Sequence, residues 1–146
     1  MKKIFIIYVL FLLMFFLSAC DDLVSSAGDI NDYVGTYSLD GASESTYHVS
    51  WGNEKLISQK NLFNKSFSLV ISDDYKVKVI YSDGSEEEGK IKCFEKYCRF
   101  YNTPLKSSYQ FYKRYDGSLY YSYESKHMSV EYDVTYIGIV FVKNKE

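Results

Sequence analysis

The chain has 146 residues, about one domain's worth, with 17 Lys and Arg against 19 Asp and Glu and a formal net charge of −2. A mildly acidic chain without basic clusters is a poor nucleic-acid binder, since phosphate contacts need concentrated Lys and Arg. Aromatic residues make up 18% of the sequence and proline occurs once, a composition that favours strands.

The N-terminus has three distinct parts: positively charged residues 1–3, the apolar run 4–17, and small residues at 18–19. These are the parts of a secretory signal peptide. The fourteen apolar residues are too few for a transmembrane helix, which needs about 20. The run also lacks the polar face of a buried core helix. We therefore expect an N-terminal signal helix, residues 1–19, that is cleaved.

Leu17-Ser18-Ala19-Cys20 resembles the lipobox of bacterial lipoproteins, an aliphatic residue and two small residues before cysteine. The resemblance implies a diacylglycerol on the Cys20 thiol, cleavage before Cys20 and acylation of the new N-terminus; two or more chains give stable membrane anchoring. The alternative is a secreted protein with an incidental cysteine. The expected location is the extracytoplasmic face of the cell membrane. Asp21 resembles the signal that retains lipoproteins at the inner membrane of a Gram-negative host.

Removal of residues 1–19 leaves 127 residues with a net charge of −4, because both leader lysines are lost. Residues 20–31 contain Ser, Gly and Asp without a sustained hydrophobic period. We predict that they form the lipidated N-terminus and a flexible tether. Residues 32–146 are predicted to form one domain.

Near the start of this domain the sequence predicts strands at 33–39 and 46–51 and a short helix at 53–63. Further along, apolar residues alternate with polar ones, as in half-buried strands. Two such sets are Phe67, Leu69 and Ile71, and then Tyr75, Val77, Val79 and Tyr81.

Tight hairpins are predicted at 72–75, Asp83-Gly84 and Asp116-Gly117, because Asp-Gly accommodates the positive φ angles of such turns. Gly138 is predicted to mark a bulge or bend. The remaining predicted strands lie near 87–93, 98–102, 108–115, 118–124 and 129–142.

Eight or nine short strands joined by hairpins predict an all-β, antiparallel up-and-down meander. A meander of this length avoids exposed edges best by closing into a small barrel. A two-layer sandwich is the alternative architecture.

Four segments together resemble small lipocalin-like lipoproteins of bacteria: "YVGTYSL" (33–39), "FSLVISDDYKVKV" (67–79), "EEEGKIK" (86–92) and "IGIVFVK" (137–143). The resemblance implies a lipocalin-like barrel. It also implies that Tyr37, where lipocalins have Trp, plugs the closed end of the barrel near Lys143.

Cys93 and Cys98 bracket four residues that can form a hairpin loop. Cross-strand neighbours lie close enough for a disulfide, and export permits oxidation. A loop this small would add about 2 kcal/mol. We expect the disulfide. Two reduced core thiols are the main alternative, since a redox pair usually reads C-x-x-C beside a βαβ unit.

No catalytic or metal site is expected. His48 and His127 lack the three or four well-spaced ligands of a zinc site. The acids of 83–88 lack the ligand spacing of a calcium loop and are interpreted as a solvated turn. There is no G-x-S-x-G motif, and spacing alone selects no pair of acids for hydrolysis. We therefore predict a non-enzymatic protein without cofactors.

The segment "YKRYDGSLYYSYES", 112–125, is unusually rich in tyrosine. Alternation places Tyr112 and Tyr120 on the strand face opposite Tyr121. The outward residues either pair across strands, at about 0.2–1 kcal/mol a pair, or form an interaction surface, where Tyr is enriched. Pairing is preferred. Tyr112, Tyr115 and Tyr120 are the candidate interaction surface.

Two functions remain. The preferred one is an envelope lipoprotein that binds a protein through its outer face, as an inhibitor, an immunity or exclusion factor, or an accessory subunit. The alternative is a lipocalin-like binder of a small apolar ligand. An eight-stranded barrel is just filled by side chains, so we expect no enclosed apolar void large enough for a lipid-sized ligand. An open pocket of several hundred Å³ would reverse the preference and favour the ligand. The inward candidates are Tyr75, Val77, Val79, Tyr81, Ile91, Phe100, Phe111 and Tyr121.

Overall fold

The computed structural model describes residues 28–125 and 129–145; the predicted signal peptide and Cys20 lie outside these ranges. Within them, no helix has both the length and the hydrophobicity required to cross a membrane. A 3-10 helix, Ile30–Asp32, precedes the strands. These are β1 (Gly35–Ser50), β2 (Asn53–Asn61), β3 (Phe67–Ile71), β4 (Lys76–Tyr81), β5 (Glu86–Cys93), β6 (Tyr97–Tyr101), β7 (Phe111–Lys113), β8 (Leu119–Glu124) and β9 (Glu131–Lys143).

The strands form one antiparallel sheet that follows chain order from β3 to β9. The sheet closes because β1 pairs with β3 on one side and with β9 on the other. Eight strands therefore make a closed barrel, and β2 pairs with the second half of β1 beyond it. The predicted all-β meander and its closure into a barrel are confirmed.

Alternating apolar residues place large side chains inside this barrel. Phe100 and Phe111 meet edge to face with ring centroids 5.2 Å apart, and Phe141 lies 6.0 Å from Phe111. Because these rings and the aliphatic residues around them are almost inaccessible to solvent, side chains occupy the interior. Among the described residues, the largest fully buried side chains of this core are Tyr37, Leu69, Ile71, Val77, Val79, Cys98, Phe100, Phe111, Leu119, Ile139 and Phe141.

Tyr37 has the position that the lipocalin resemblance implies. It is fully buried and is the direct strand partner of Lys143. The Lys143 Nζ lies 5.9 Å from the centroid of the Tyr37 ring, so the lysine stem covers one end of the aromatic plug.

The predicted helix at 53–63 is wrong, because Asn53–Asn61 is strand β2. Trp51 and Gly52 have φ values of 51° and 80°. Positive φ at both central residues is what a two-residue type I′ hairpin turn requires, and this turn returns the chain along β1. The gap predicted between the first two strands is also absent, since β1 is continuous apart from a bulge between Leu39 and Gly41. The bulge predicted at Gly138 is absent, because Gly138 pairs in register with both neighbouring strands.

The inward orientation predicted for Tyr75 is also wrong. Tyr75 belongs to the turn between β3 and β4, has a φ of 63° and is 47% exposed. The turn is closed by the bond from the Ser72 N–H to the Lys76 carbonyl. The turn therefore includes Tyr75, and the inward-facing residues of the next strand begin only at Val77. Val77 and Val79 do face inward, and Tyr81 packs against the core.

Gly89 on β5 fits where a side chain would not. An added Cβ would lie 2.6 Å from the carbonyl oxygen of Tyr101 and 2.9 Å from that of Asn102. Because backbone oxygens cannot swing aside, we expect Gly89→Ala to lower the free energy of unfolding by about 1–3 kcal/mol in urea titrations. Gly138→Ala is the matched control, since a Cβ added there would have nothing within 4 Å. Equal unfolding midpoints would contradict the prediction.

Candidate binding surface and buried cysteines

Three hairpin turns and the first described residues of the chain lie at the same end of the barrel. Antiparallel order brings the turns at 72–75, 94–96 and 114–118 to the same end as residues 28–34. We call this the entry end. Gly28 lies so close to Phe94 that an added Cβ would be 2.0 Å from the Phe94 carbonyl oxygen. Ile30, within the segment predicted as tether, is only 5% exposed and packs into the core.

An open groove of about 820 Å³ lies at the entry end, outside the barrel interior. The turn between β7 and β8 forms one wall, and the 3-10 helix and the turn between β5 and β6 supply the rest. The groove is lined by Asp32, Tyr33, Glu95, Lys96, Lys113, Arg114, Tyr115, Asp116 and Tyr120.

The Asp-Gly turn positions Tyr115 at the rim of the groove. The Arg114 N–H donates to the Ser118 carbonyl, and Gly117 has a φ of 83°. The Asp116 carboxylate accepts from the Ser118 hydroxyl at 2.6 Å and from the Ser118 N–H at 2.9 Å. These bonds hold the pKa of Asp116 below its usual value. This hydrogen-bonded turn leaves the Tyr115 side chain fully exposed.

Tyr120 forms the groove wall next to Tyr115. Its ring centroid lies 5.8 Å from that of Tyr112, its cross-strand partner. The Arg114 guanidinium carbon lies 4.6 Å from the centroid of the Tyr120 ring, a cation–π geometry. The structure therefore brings two of the three predicted tyrosines, Tyr115 and Tyr120, to one groove. Tyr112 is not part of the lining but lies next to Tyr120 on the neighbouring strand. Tyr121 packs against the core on the opposite face.

Three acids and three bases line the groove, so its formal charges balance. Lys113 Nζ lies 3.8 Å from Asp32 Oδ1, which joins the β7 strand to the 3-10 helix. Because the lining comes from three segments far apart in the chain, no local pattern in the sequence marks Asp32, Glu95 or Lys96 as site residues.

Two tyrosines at the entry end are buried. Tyr37 is fully buried, and burial raises its pKa to about 12. Tyr33, on the groove wall, is 4% exposed, and burial raises its pKa well above the usual value.

We therefore expect stability to fall at alkaline pH. Above about pH 10 the unfolded chain loses these tyrosine protons while the folded chain keeps them, so folding becomes less favourable by about 1.4 kcal/mol per pH unit and group. The decline continues until the folded-state pKa is reached. Urea unfolding between about pH 8 and about pH 12 measures it. Tyr37→Phe should remove one group's share of the decline and leave that of Tyr33, and a level profile in the native protein would contradict the burial of these groups.

Cys93 and Cys98 are directly opposed on β5 and β6 and are both buried as free thiols in this structure. Burial raises the pKa of Cys93 to about 11 and that of Cys98 well above the ordinary value. Reduced, they are protonated and unreactive at neutral pH. Their direct pairing is compatible with a disulfide, which stays a prediction.

The redox state can be read from protein extracted under denaturing conditions with an alkylating reagent present. We expect Cys93 and Cys98 to take up the reagent only after reduction. Labelling of both without reductant would show that the pair remains reduced in its compartment.

The other candidate ligands lie in surface pairs. His48 Nδ1 is 2.9 Å from Asp133 Oδ1 across β1 and β9, and His127 lies outside the described residues. Asp83 accepts from Lys65 and Ser85, which lowers its pKa. Within residues 28–125 and 129–145, no group of three or more metal-binding side chains occurs.

Comparisons with protein-family models, with curated proteins and with solved structures give no significant match. The fold and the groove are therefore the basis for a functional proposal.

Proposed function

We propose that the mature chain is a lipid-anchored, non-enzymatic binding protein of the cell envelope that binds a protein partner through the entry-end groove. The barrel interior is occupied by side chains, while an open groove lies outside it and is lined by two of the three tyrosines predicted as an interaction surface, Tyr115 and Tyr120. Tyrosine and arginine are enriched where proteins bind each other, and Arg114, Tyr115 and Tyr120 lie side by side in this groove.

The proposed lipid anchor at Cys20 is close in the chain to the entry end, where the groove lies. Cys20 precedes Gly28 by eight residues, a chain length that spans at most about 28 Å. A lipid on Cys20 would keep the entry end near the bilayer. The partner would then be a membrane protein with an extracytoplasmic part, or a protein held at the same surface.

A small ligand is the second candidate. The groove, at about 820 Å³, has the size of a small-molecule site, usually about 300–1,000 Å³. It is therefore an open pocket of the size that was expected to reverse the preference in favour of a ligand. Its lining contains six charged residues and lies outside the barrel. A polar, charged ligand fits this lining better than the apolar ligand that a lipocalin-like carrier would bind.

The test is affinity purification of the full-length protein from its own membranes. We expect the double variant Tyr115→Ala, Tyr120→Ala to lower recovery of a co-purified protein at least thirtyfold, the scale of a lost hot spot. Tyr75→Ala is the matched control, because Tyr75 is an exposed turn tyrosine at the same end but outside the groove. Equal recovery from both variants would contradict the groove as the site. A small molecule lost only with the double variant would establish the second candidate.

A further inference from the structure

Three basic side chains lie together on the outer faces of β5 and β6. Lys90 and Lys92 alternate with buried residues of β5, and Arg99 alternates with buried residues of β6. Lys92 is directly opposite Arg99, and Lys90 is directly opposite Lys76 of β4. Like charges in such positions destabilise a sheet. We call Lys90, Lys92 and Arg99 the basic face.

The basic face has no counter-charge in the described part of the chain. Lys76 forms an ion pair with Asp74 at 2.6 Å, but no described carboxylate lies within ion-pair distance of Lys90, Lys92 or Arg99. The Nε atom of Arg99 is buried and has no hydrogen-bond partner. Contacts within the fold therefore do not explain why three cations are gathered here.

Two stacked rings hold the cations of the basic face next to the entry end. The ring centroids of Phe94 and Tyr97 are 4.6 Å apart, with an angle of 22° between the planes. The Arg99 guanidinium carbon lies 5.7 Å from the Phe94 centroid and 5.5 Å from that of Tyr97. The Lys92 Nζ lies 5.4 Å from the Phe94 centroid. These cation–π contacts orient the cations, but the rings carry no net charge that could neutralise them.

The chain reaches the barrel beside the basic face. A Cβ added to Gly28 would lie 2.0 Å from the carbonyl oxygen of Phe94, so the incoming backbone touches the turn that carries the stacked rings. Cys20 precedes Gly28 by eight residues, which span at most about 28 Å. Acyl chains on Cys20 would therefore keep the basic face within reach of the lipid surface.

We infer that the basic face docks onto anionic phospholipid headgroups of the bilayer that holds the anchor, so that the barrel lies on its side. The headgroup phosphates supply the missing counter-charge. Lys and Arg place their charged ends at a membrane surface while their stems lie along apolar groups, and aromatic rings are favoured at the same level. The inference rests on the proposed lipid anchor and is independent of the groove.

An acidic protein surface is the less favoured occupant. Binding energy between proteins is concentrated in well-packed pockets, and none of the three cations lines the entry-end groove. They lie on an outer sheet surface, and a layer of headgroups can cover such a surface without a cavity.

Photo-crosslinking in vesicles tests the docking. Benzoylphenylalanine replaces Tyr101, the strand partner of Lys90 on β6. The purified mature protein is inserted through its acyl chains into vesicles of phosphatidylcholine alone, or of phosphatidylcholine and phosphatidylglycerol in equal parts. Irradiation is expected to form a phospholipid adduct, with a yield about tenfold or more higher in the anionic vesicles, because each basic residue adds to the attraction of an anionic surface.

A pair of charge-matched variants locates the effect. Lys90→Gln with Lys92→Gln should lower the adduct in anionic vesicles about fivefold or more. Lys55→Gln with Lys60→Gln removes the same charge from β2, outside the basic face, and should leave the yield unchanged. Equal yields in the two kinds of vesicle, or equal yields from the two double variants, would overturn the inference. An adduct at position 101 to a protein in host membranes would also overturn it and would favour an acidic protein surface.

Two further measurements separate the docking from other failures. Because Lys90 and Lys92 oppose like charges, their replacement should leave the unfolding temperature unchanged or raise it; a lower temperature would make the face structural and overturn the inference. The groove variant Tyr115→Ala, Tyr120→Ala should keep the adduct at 101, so failure of the groove gives a different result. A protein mass without acyl chains would overturn the anchor and the docking together, whereas an acylated protein without the adduct would overturn the docking alone.

Discussion

Replacement of Phe111 by alanine is expected to lower the free energy of unfolding by about 3–5 kcal/mol. Phe111 is inaccessible to solvent, and its ring contacts the rings of Phe100, Tyr121 and Phe141. Removing it deletes apolar surface and leaves a cavity that the closed sheet cannot collapse to fill. Urea titration of the purified mature protein measures the loss.

Tyr115→Ala is the control for that measurement. The Tyr115 side chain is fully exposed, so its removal should change the free energy of unfolding by no more than about 0.5 kcal/mol. If Phe111→Ala cost as little as Tyr115→Ala, the barrel interior would be loosely packed. An internal ligand site would then be the better explanation of the fold.

Substitution of Cys20 by serine is expected to abolish incorporation of an alkyne-tagged fatty acid into the protein. Serine has no thiol to receive a diacylglycerol, and stable anchoring requires the acyl chains. Cys93→Ser, at a buried cysteine of the barrel, should label like the native protein. Label in Cys20→Ser at the native level would exclude this residue as the lipid attachment site.

Local sequence signals predict most of the barrel. Alternation sets the inward residues of β3 and β4, and Asp-Gly dipeptides set two of the turns. At both turns the aspartate accepts bonds from the serine two residues later, Asp83 from Ser85 and Asp116 from Ser118. These features depend on neighbours within a few residues, so the sequence displays them directly.

The errors occur at turns and strand pairings that the local sequence pattern does not reveal. The segment 53–63 has no alternating pattern, and its strand conformation follows from eight paired residues of β1 and from a Trp-Gly turn. Tyr75 keeps the alternation in sequence but falls in the turn. Residues that no local pattern constrains take their conformation from the sheet they join.

For the binding surface, too, the sequence predicts some of the residues but not the others. Tyr112, Tyr115 and Tyr120 stand out because they cluster in one hairpin. The groove, however, also needs Asp32 from the 3-10 helix and Lys96 from another turn. Only barrel closure brings these segments to one end, so composition identifies the tyrosines but not the cavity they line.

Photo-crosslinking at position 115 tests the central claim most directly. With benzoylphenylalanine in place of Tyr115 in the full-length protein, irradiation of host membranes is expected to attach one defined protein, identifiable by mass spectrometry of the adduct. Irradiation that attaches only a small molecule, or nothing beyond the protein itself, would contradict the proposal that this filled barrel acts by binding a protein at its outer groove.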